Sequence, residues 1–292
     1  MSAISGIWWL ASYPKSGNTW LRVFLASLLS GASVDINDLP FLGRIASERT
    51  GFDLTLGIAA ADLSIEQQAN LRPRVYEVWA GEEKRSLYCK AHDAYHPTPA
   101  GEPLFPAAAT RGAIYVVRDA RAVAVSLAHD IERPIDQAIE RMDDPHHTLG
   151  GSSRRLHQQL RQSLLRWSAH VESWLGAPFP VHLLRYEDMH ADPHAAFAAV
   201  AAFLGLPHGP GQIAAAIEAA SFSRLQALER EAGFVEKLPR AAAFFREGRT
   251  EEWRRALTPE QAARIVAAHG AVMRRLGYDV TLAPLAAEQG AA

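Results

Sequence analysis

The residues whose types and spacing can do chemistry begin at Ser12-Tyr13-Pro14-Lys15-Ser16-Gly17-Asn18-Thr19-Trp20. An apolar run, Ile7-Trp8-Trp9-Leu10-Ala11, precedes them, and Leu21, Phe24, Leu25 and Leu28 follow at helical spacing. The pattern predicts a buried strand, a tight turn and a helix ending near Gly31. The first N–H groups of such a helix lack partners within it, and the helix dipole makes them an anion site. Lys15 adds a full positive charge, Ser16 and Thr19 add hydroxyl donors, Asn18 adds an amide, and Gly17 lets the backbone approach a ligand. The turn is therefore expected to hold a phosphate. It is not the usual triphosphate loop, because no Gly-Lys-Ser/Thr triplet is present to ligate magnesium.

Further along, Ser86-Leu87-Tyr88-Cys89-Lys90-Ala91-His92 reads as a second buried strand. Alternation puts Lys90 and His92 on one side and Cys89, a small core residue, on the other. Ala113-Ile114-Tyr115-Val116-Val117 is a third strand that delivers Arg118 to its C-terminal end, where parallel α/β sheets bind ligands. Asp119 caps the next helix, which carries Ser126 and Asp130. Arg118 is suited to a two-pronged phosphate contact.

These segments, in this order, resemble the cytosolic-type sulfotransferases, which use 3′-phosphoadenylyl sulfate (PAPS). The first turn is similar to that family's Tyr-Pro-Lys-Ser-Gly-Thr-Thr-Trp loop for the 5′-phosphosulfate, with Asn18 in place of a threonine. Lys90-Ala91-His92 resembles the Lys-Thr-His segment whose histidine is the catalytic base. Arg118 and Ser126 match the pair that holds the 3′-phosphate. Tyr186-Glu187-Asp188 resembles a turn whose tyrosine reaches the nucleotide. Ala220-Ser221-Phe222 resembles Thr-Ser-Phe, whose phenylalanine packs on adenine, and Trp20 is expected on the other face of the base. Phe244 to Arg254 is similar to an Arg-Lys-Gly-x-x-Gly-Asp-Trp-Lys loop; Arg246, Gly248 and Trp253 match, while Glu247 and Glu251 replace a lysine and a glycine.

The resemblance implies His92, Lys15, Lys90 and Ser126 as catalytic residues. It implies a nucleotide site of Lys15, Ser16, Gly17, Asn18, Thr19, Trp20, Arg118, Ser126, Tyr186, Ser221, Phe222, Arg246, Glu247 and Gly248. The donor would be PAPS and the product the 3′,5′-bisphosphate PAP. No metal is implied. The acceptor would be a small molecule with a hydroxyl or amine, and in-line attack would be assisted by His92 as general base. An ATP- or GTP-dependent kinase of a small molecule and a non-catalytic nucleotide-binding protein are the alternatives.

The elements that must position these groups fit one α/β domain: a P-loop-like central parallel sheet with helices on both faces, over residues 1–282. The 292 residues are 48% hydrophobic, ample for one core. Residues 33–75 read as a surface excursion with short helices around 61–72, and 130–155 as a polar loop or lid. A metal cluster on Asp143, Asp144, His146 and His147 is conceivable, but neighbouring ligands in a loop lack a tight site's geometry. A helix is expected over 156–175, through Leu160, Leu164, Trp167, Val171 and Trp174. Pro180 to Tyr186 reads as a fourth strand, Asp192 caps a helix that Gly205 ends, and Thr258-Pro259-Glu260-Gln261 caps the last helix. His269 reads as structural. The family's dimer motif is poorly matched by Arg254, Thr258, Pro259 and Ala263, so monomer and homodimer both stay open. Residues 283–292 read as a disordered tail.

The net charge of −2 and pI near 6.6 argue against general nucleic-acid binding but not against a small anionic ligand. A single cysteine, Cys89, excludes an internal disulfide and fits a reducing, cytoplasmic setting. The start, Met1 to Ala11, has no charged region and is not read as a secretion signal; with no apolar run of about 18 residues, no membrane span is expected.

Overall fold

The computed structural model describes residues 6–39, 41–82, 86–150, 157–237 and 243–281. In chain order the first half contains β1 (Gly6–Ser12), α1 (Asn18–Ser30), β2 (Arg44–Ile45), α2 (Arg49–Leu56), α3 (Ile65–Glu82), β3 (Ser86–Ala91), β4 (Thr110–Val117), α4 (Ala120–Ile131) and α5 (Ile135–Asp143). The second half contains β5 (Thr148–Leu149), β6 (Gln162–Ser163), α6 (Trp167–Leu175), β7 (Val181–Arg185), α7 (Tyr186–Ala191), α8 (Pro193–Phe203), α9 (Pro210–Ala219), α10 (Phe222–Ala232), α11 (Trp253–Ala256) and α12 (Pro259–Arg275).

Five strands form one parallel sheet in the order β2-β3-β1-β4-β7. All seven residues of β1 are buried, as a central strand covered on both faces requires. Alternation sends Ile7, Trp9 and Ala11 into one core with side chains of α3, α4, α6 and α12. Trp8 and Leu10 go into the other, with α1, α8 and α9. Burial of a side chain such as Trp9 is worth about 3–5 kcal/mol against truncation to alanine. The chain leaves β1 for β3 on one side, then returns to β4 on the other. Such a reversal opens a crevice beyond the strands' C-terminal ends, where Ser12 ends β1 and His92 and Arg118 follow β3 and β4.

The four expected core strands and the caps at Asp119, Asp192 and Thr258 are present. Other readings need correction. The short helices expected around 61–72 are part of a longer one, α3, which runs on to Glu82, and the excursion holds a further helix, α2, before it. The polar stretch after 130 contains α5 and the β5 strand. The helix expected over 156–175 starts only at Trp167. Before it the backbone is extended because its polar groups are spent elsewhere: Leu160 N–H donates to the Ser47 carbonyl, and the Ser163 carbonyl accepts from Ala94 N–H. Leu160 and Leu164 still reach the core. Leu156, Gly151 to Ser153 and the tail from Ala283 lie outside the described residues.

Among the described residues no helix is long and apolar enough to cross a membrane, and no group of three or more His, Cys, Asp or Glu is placed to hold a metal. Asp143 pairs instead with Arg166, and His147 meets the Tyr13 hydroxyl. His269 is buried, with Nδ1 3.2 Å from Ser168 Oγ.

Candidate active site

The turn after β1 is a backbone cradle. Lys15 takes a left-handed φ of 68° and Gly17 one of 102°. A Cβ at Gly17 would lie 2.6 Å from the Tyr186 ring, so the tyrosine's packing and the positive φ both require glycine. Ser16 Oγ is buried without a partner. Asn18 departs from expectation. Its amide does not face the cradle but donates inward to the Leu10 carbonyl at 2.8 Å and Ser12 Oγ at 3.3 Å. The side chain thereby ties the start of α1 to β1, leaving only its backbone at the cradle.

Arg118 lies across this cradle. One nitrogen donates to the Lys15 carbonyl at 3.3 Å and another to the Arg249 carbonyl at 2.9 Å. Its guanidinium stacks 4.3 Å over the Tyr186 ring, and its Nε is buried without a partner. Thus Lys15 and Arg118, delivered by different strands, meet in one place. Ser126 stands on α4, half-buried, one turn before Asp130 on the same face. The Tyr186 turn is fixed to β4 because Glu187 accepts from Asp119 N–H at 3.0 Å and from the Tyr278 hydroxyl at 2.8 Å.

His92 Nδ1 lies 2.8 Å from the Ser12 carbonyl. A carbonyl only accepts, so Nδ1 carries the proton and Nε2 keeps its lone pair. Burial and the nearby Lys90 ammonium push the imidazole down to about 3, so the ring is neutral at ordinary pH. Asp93, next in the chain, accepts from Arg72 at 2.5 and 2.9 Å and from Ser163 N–H at 3.0 Å. That buried pair anchors the loop that carries His92.

Lys15, Lys90 and Arg246 each have a carboxylate partner, whereas Arg118 is held by carbonyls and the Tyr186 ring. Lys15 Nζ is 2.7 Å from Asp130 and 4.1 Å above the Phe244 ring. Lys90 Nζ is 2.7 Å from Glu236, whose other oxygen accepts from Arg22 at 2.5 Å. Burial lowers the Lys90 pKa, with Glu236 opposing. The two cations hold the Glu236 carboxyl far below the usual carboxylate range, against burial. Arg246 makes a fork with Glu252 at 2.7 and 2.9 Å. Glu247 faces Arg246 at 3.5 Å and pairs with Arg255.

Phe222 is half-buried, and a Cβ on Gly248 would come within 2.5 Å of its ring, so the two chain segments touch there. Ser221 precedes α10 with its hydroxyl 3.4 Å from that of Ser223. Trp20 packs edge-on against Tyr186, His190 and Phe197. Its position is that of a packing residue beside the cradle. Thr19 is buried at the first turn of α1.

Sequence reasoning did not single out Ser12, Arg22, Glu236 or Glu252 for the site, and named Asp130 only as a helix residue. Asp130 carries a signal, lying four residues beyond Ser126 on one helix face. Glu236 carries none, because it comes from a stretch without periodicity.

With this geometry established, comparison with known proteins places the chain. The family model described as "Sulfotransferase domain" matches residues 7–277. Flavonol 3-sulfotransferase of Flaveria bidentis is 24% identical over 277 residues, covering 88% of this chain and 78% of the relative. Cytosolic sulfotransferase 17 of Arabidopsis thaliana is 25% identical over 272 residues, covering 88% and 71%. Two solved structures share the fold. Mouse sulfotransferase SULT7A1 complexed with PAP has a TM-score of 0.57 at 19% identity, covering 92% of this chain and 85% of that one. Retinol dehydratase in complex with androsterone and PAP has a TM-score of 0.60 at 20% identity, covering 93% and 81%. The chain belongs to the sulfotransferase-domain family.

Proposed function

We propose that this protein transfers the sulfuryl group of PAPS to a hydroxyl or amine of a small-molecule acceptor. One observation carries the reading: a neutral imidazole, its Nδ1 proton spent on Ser12, stands with Lys90 beside a phosphate cradle crossed by Arg118. The residues fit a doubly phosphorylated nucleotide. The buried, unpartnered Ser16 hydroxyl and Arg118 Nε supply donors that a phosphate would satisfy. The family supports the chemistry, and PAP is bound in the two related structures named above.

In this reading Lys15, Ser16 and the backbone from Gly17 to Thr19 form the 5′-phosphosulfate end, and Trp20 supports the nucleoside side through its packing on Tyr186. Arg118, Ser126, Arg246, Glu247 and Gly248 form the 3′-phosphate end, Glu247 through its backbone. Tyr186, Ser221 and Phe222 serve the nucleoside. His92 Nε2 takes the proton from the acceptor as its oxygen or nitrogen bonds to sulfur. The bond from sulfur to the 5′-phosphate oxygen breaks, and Lys15 meets the charge left on that phosphate. Lys90 supports the sulfuryl oxygens. Fixed cations placed where charge develops are the larger effect, and proximity is second.

The acceptor class rests on flavonol 3-sulfotransferase by its name and on the retinol dehydratase fold. A cytoplasmic setting is our proposal, from the single reduced cysteine and the cytosolic names of the plant relatives. The test is transfer of label from sulfur-labelled PAPS to a panel of phenols, alcohols and amines, with calorimetry of PAP against ATP–magnesium. Label on an acceptor and a preference for PAP support the reading. Preference for ATP–magnesium, with label moving to none of the panel, overturns it.

A further inference from the structure

Two buried side chains beneath the cleft belong to none of the roles above. His170, on α6, is fully buried. Its Nε2 lies 3.0 Å from the His92 carbonyl oxygen, and its Nδ1 lies 2.8 Å from the Tyr115 hydroxyl. The carbonyl can only accept, so Nε2 carries the His170 proton and Nδ1 is a lone pair. The Tyr115 hydroxyl must then donate to Nδ1. Tyr115 sits on β4 paired in register with Ala11 of β1, next to Ser12. On the other side of the cleft, His92 Nδ1 donates to the Ser12 carbonyl at 2.8 Å.

The bonds make a circuit. It runs from Tyr115 through His170 to the His92 carbonyl, then through the His92 ring to Ser12, and the pairing of β4 with β1 at Tyr115 and Ala11 closes it. Its directions are fixed, because the backbone groups in it cannot exchange donor and acceptor roles. One turn along α6, Trp174 Nε1 donates to the Asp93 carbonyl at 2.9 Å, so consecutive carbonyls of the base loop are held by one helix. The circuit joins the two segments whose spacing matters most, the donor cradle and the loop that carries the base.

We propose that Tyr115 and His170 are positioning residues for sulfuryl transfer. They touch no reactant. They hold the His92 backbone at a set distance from the Ser12–Tyr13 turn. That distance keeps Nδ1 on the Ser12 carbonyl and Nε2 free for the acceptor's proton. The inference rests on His92 being the base.

The test uses the full chain with three variants. Tyr115→Phe removes one oxygen, His170→Phe removes both imidazole nitrogens, and His170→Gln keeps one acceptor and one donor at the end of the side chain. A displaced base lowers the chemical step by up to about 100-fold. The expected result for Tyr115→Phe and His170→Phe is therefore a kcat about 10- to 100-fold lower, with PAP affinity and both KM values within about twofold of wild type. His170→Gln recovers most of the rate. NMR of nitrogen-labelled histidine shows one His92 tautomer, protonated at Nδ1, in wild type and His170→Gln, and a mixture in Tyr115→Phe. Wild-type kcat in both phenylalanine variants overturns the proposal. So does a kcat loss matched by loss of PAP binding, or a His170→Gln variant no better than His170→Phe. If His170→Phe does not fold, Tyr115→Phe decides by kcat and tautomer. Full activity in His92→Ala would instead remove the base itself, which separates failure of the functional reading from failure of this one.

Discussion

Glu236→Gln should make the free protein weaker and the donor bind tighter. The carboxylate accepts from Lys90 at 2.7 Å and from Arg22 at 2.5 Å, and its side chain is 18% exposed. Across 2.7 Å the Coulomb attraction to Lys90 is about 6 kcal/mol at an effective dielectric of about 20. Desolvation leaves a net of about 1.5–3 kcal/mol for a charge-assisted hydrogen bond. A sulfuryl group that takes Lys90 must replace that interaction. With glutamine there, the replacement costs less, so PAPS should bind about 10- to 150-fold tighter. PAP lacks the sulfuryl group, so its affinity should change far less. Without nucleotide, the variant leaves two buried cations facing a neutral amide, a loss of about 3 kcal/mol. At roughly 2 °C per kcal/mol for a chain of this size, Tm falls by about 6 °C. The assay is calorimetry of PAPS and of PAP on both proteins without acceptor, alongside thermal melts. A lower Tm with an unchanged ratio of PAPS to PAP affinity would refute the reasoning, because Lys90 would then not exchange Glu236 for the sulfuryl group.

Gly17→Ala places a methyl 2.6 Å from the Tyr186 ring at a φ of 102°; PAP affinity should fall at least about tenfold by calorimetry, as the cradle and the tyrosine separate. Asp93→Asn leaves Arg72 buried without its charge partner, and a loss of about 3–5 kcal/mol is expected in denaturant melts. Arg118→Ala should weaken PAP far more than adenosine 5′-phosphate, which lacks the 3′-phosphate; equal weakening would remove that assignment. Burial lowers His170 and His269 to about 4 and, with Lys90, His92 to about 3. The unfolded chain therefore binds more protons between those values and about 6.5. Stability is full above about pH 6.5 and lost as pH falls toward 4, by about 2 kcal/mol at pH 5 for a fully buried ring such as His170. Thermal melts from pH 8 to 4 measure it, and a Tm independent of pH over that range would contradict it.

The strands were legible because a parallel sheet buried on both faces needs continuous apolar runs, and Ile7 to Ala11 and Ala113 to Val117 supply them. The helix caps were legible because Asp119, Asp192 and Thr258 are local hydrogen-bonding devices. The helix expected from 156 failed for a related reason. Leu160, Leu164 and Trp167 share a helical spacing, but the backbone before Trp167 finds its partners in Ser47 and Ala94, far off in sequence. Apolar spacing records which side chains are buried and not which bonds the backbone makes. The candidate site divides the same way. Lys15, Lys90, His92 and Arg118 lie in compact motifs at strand ends. Their carboxylate partners Glu236 and Glu252, and the His170–Tyr115 contact, join residues that only the tertiary fold brings together. Asn18 shows the limit within a motif: residue type allows a phosphate donor, but the amide goes inward to the Leu10 carbonyl instead.

The central claim is that one cleft clasps a bisphosphate nucleotide and presents its sulfuryl group to His92. Single-turnover transfer from sulfur-labelled PAPS, measured in wild type and His92→Ala with PAP affinity measured in parallel, tests it most directly. The account predicts unchanged PAP affinity with the transfer step slowed by about 100-fold or more. Wild-type transfer by His92→Ala across the pH range would contradict it.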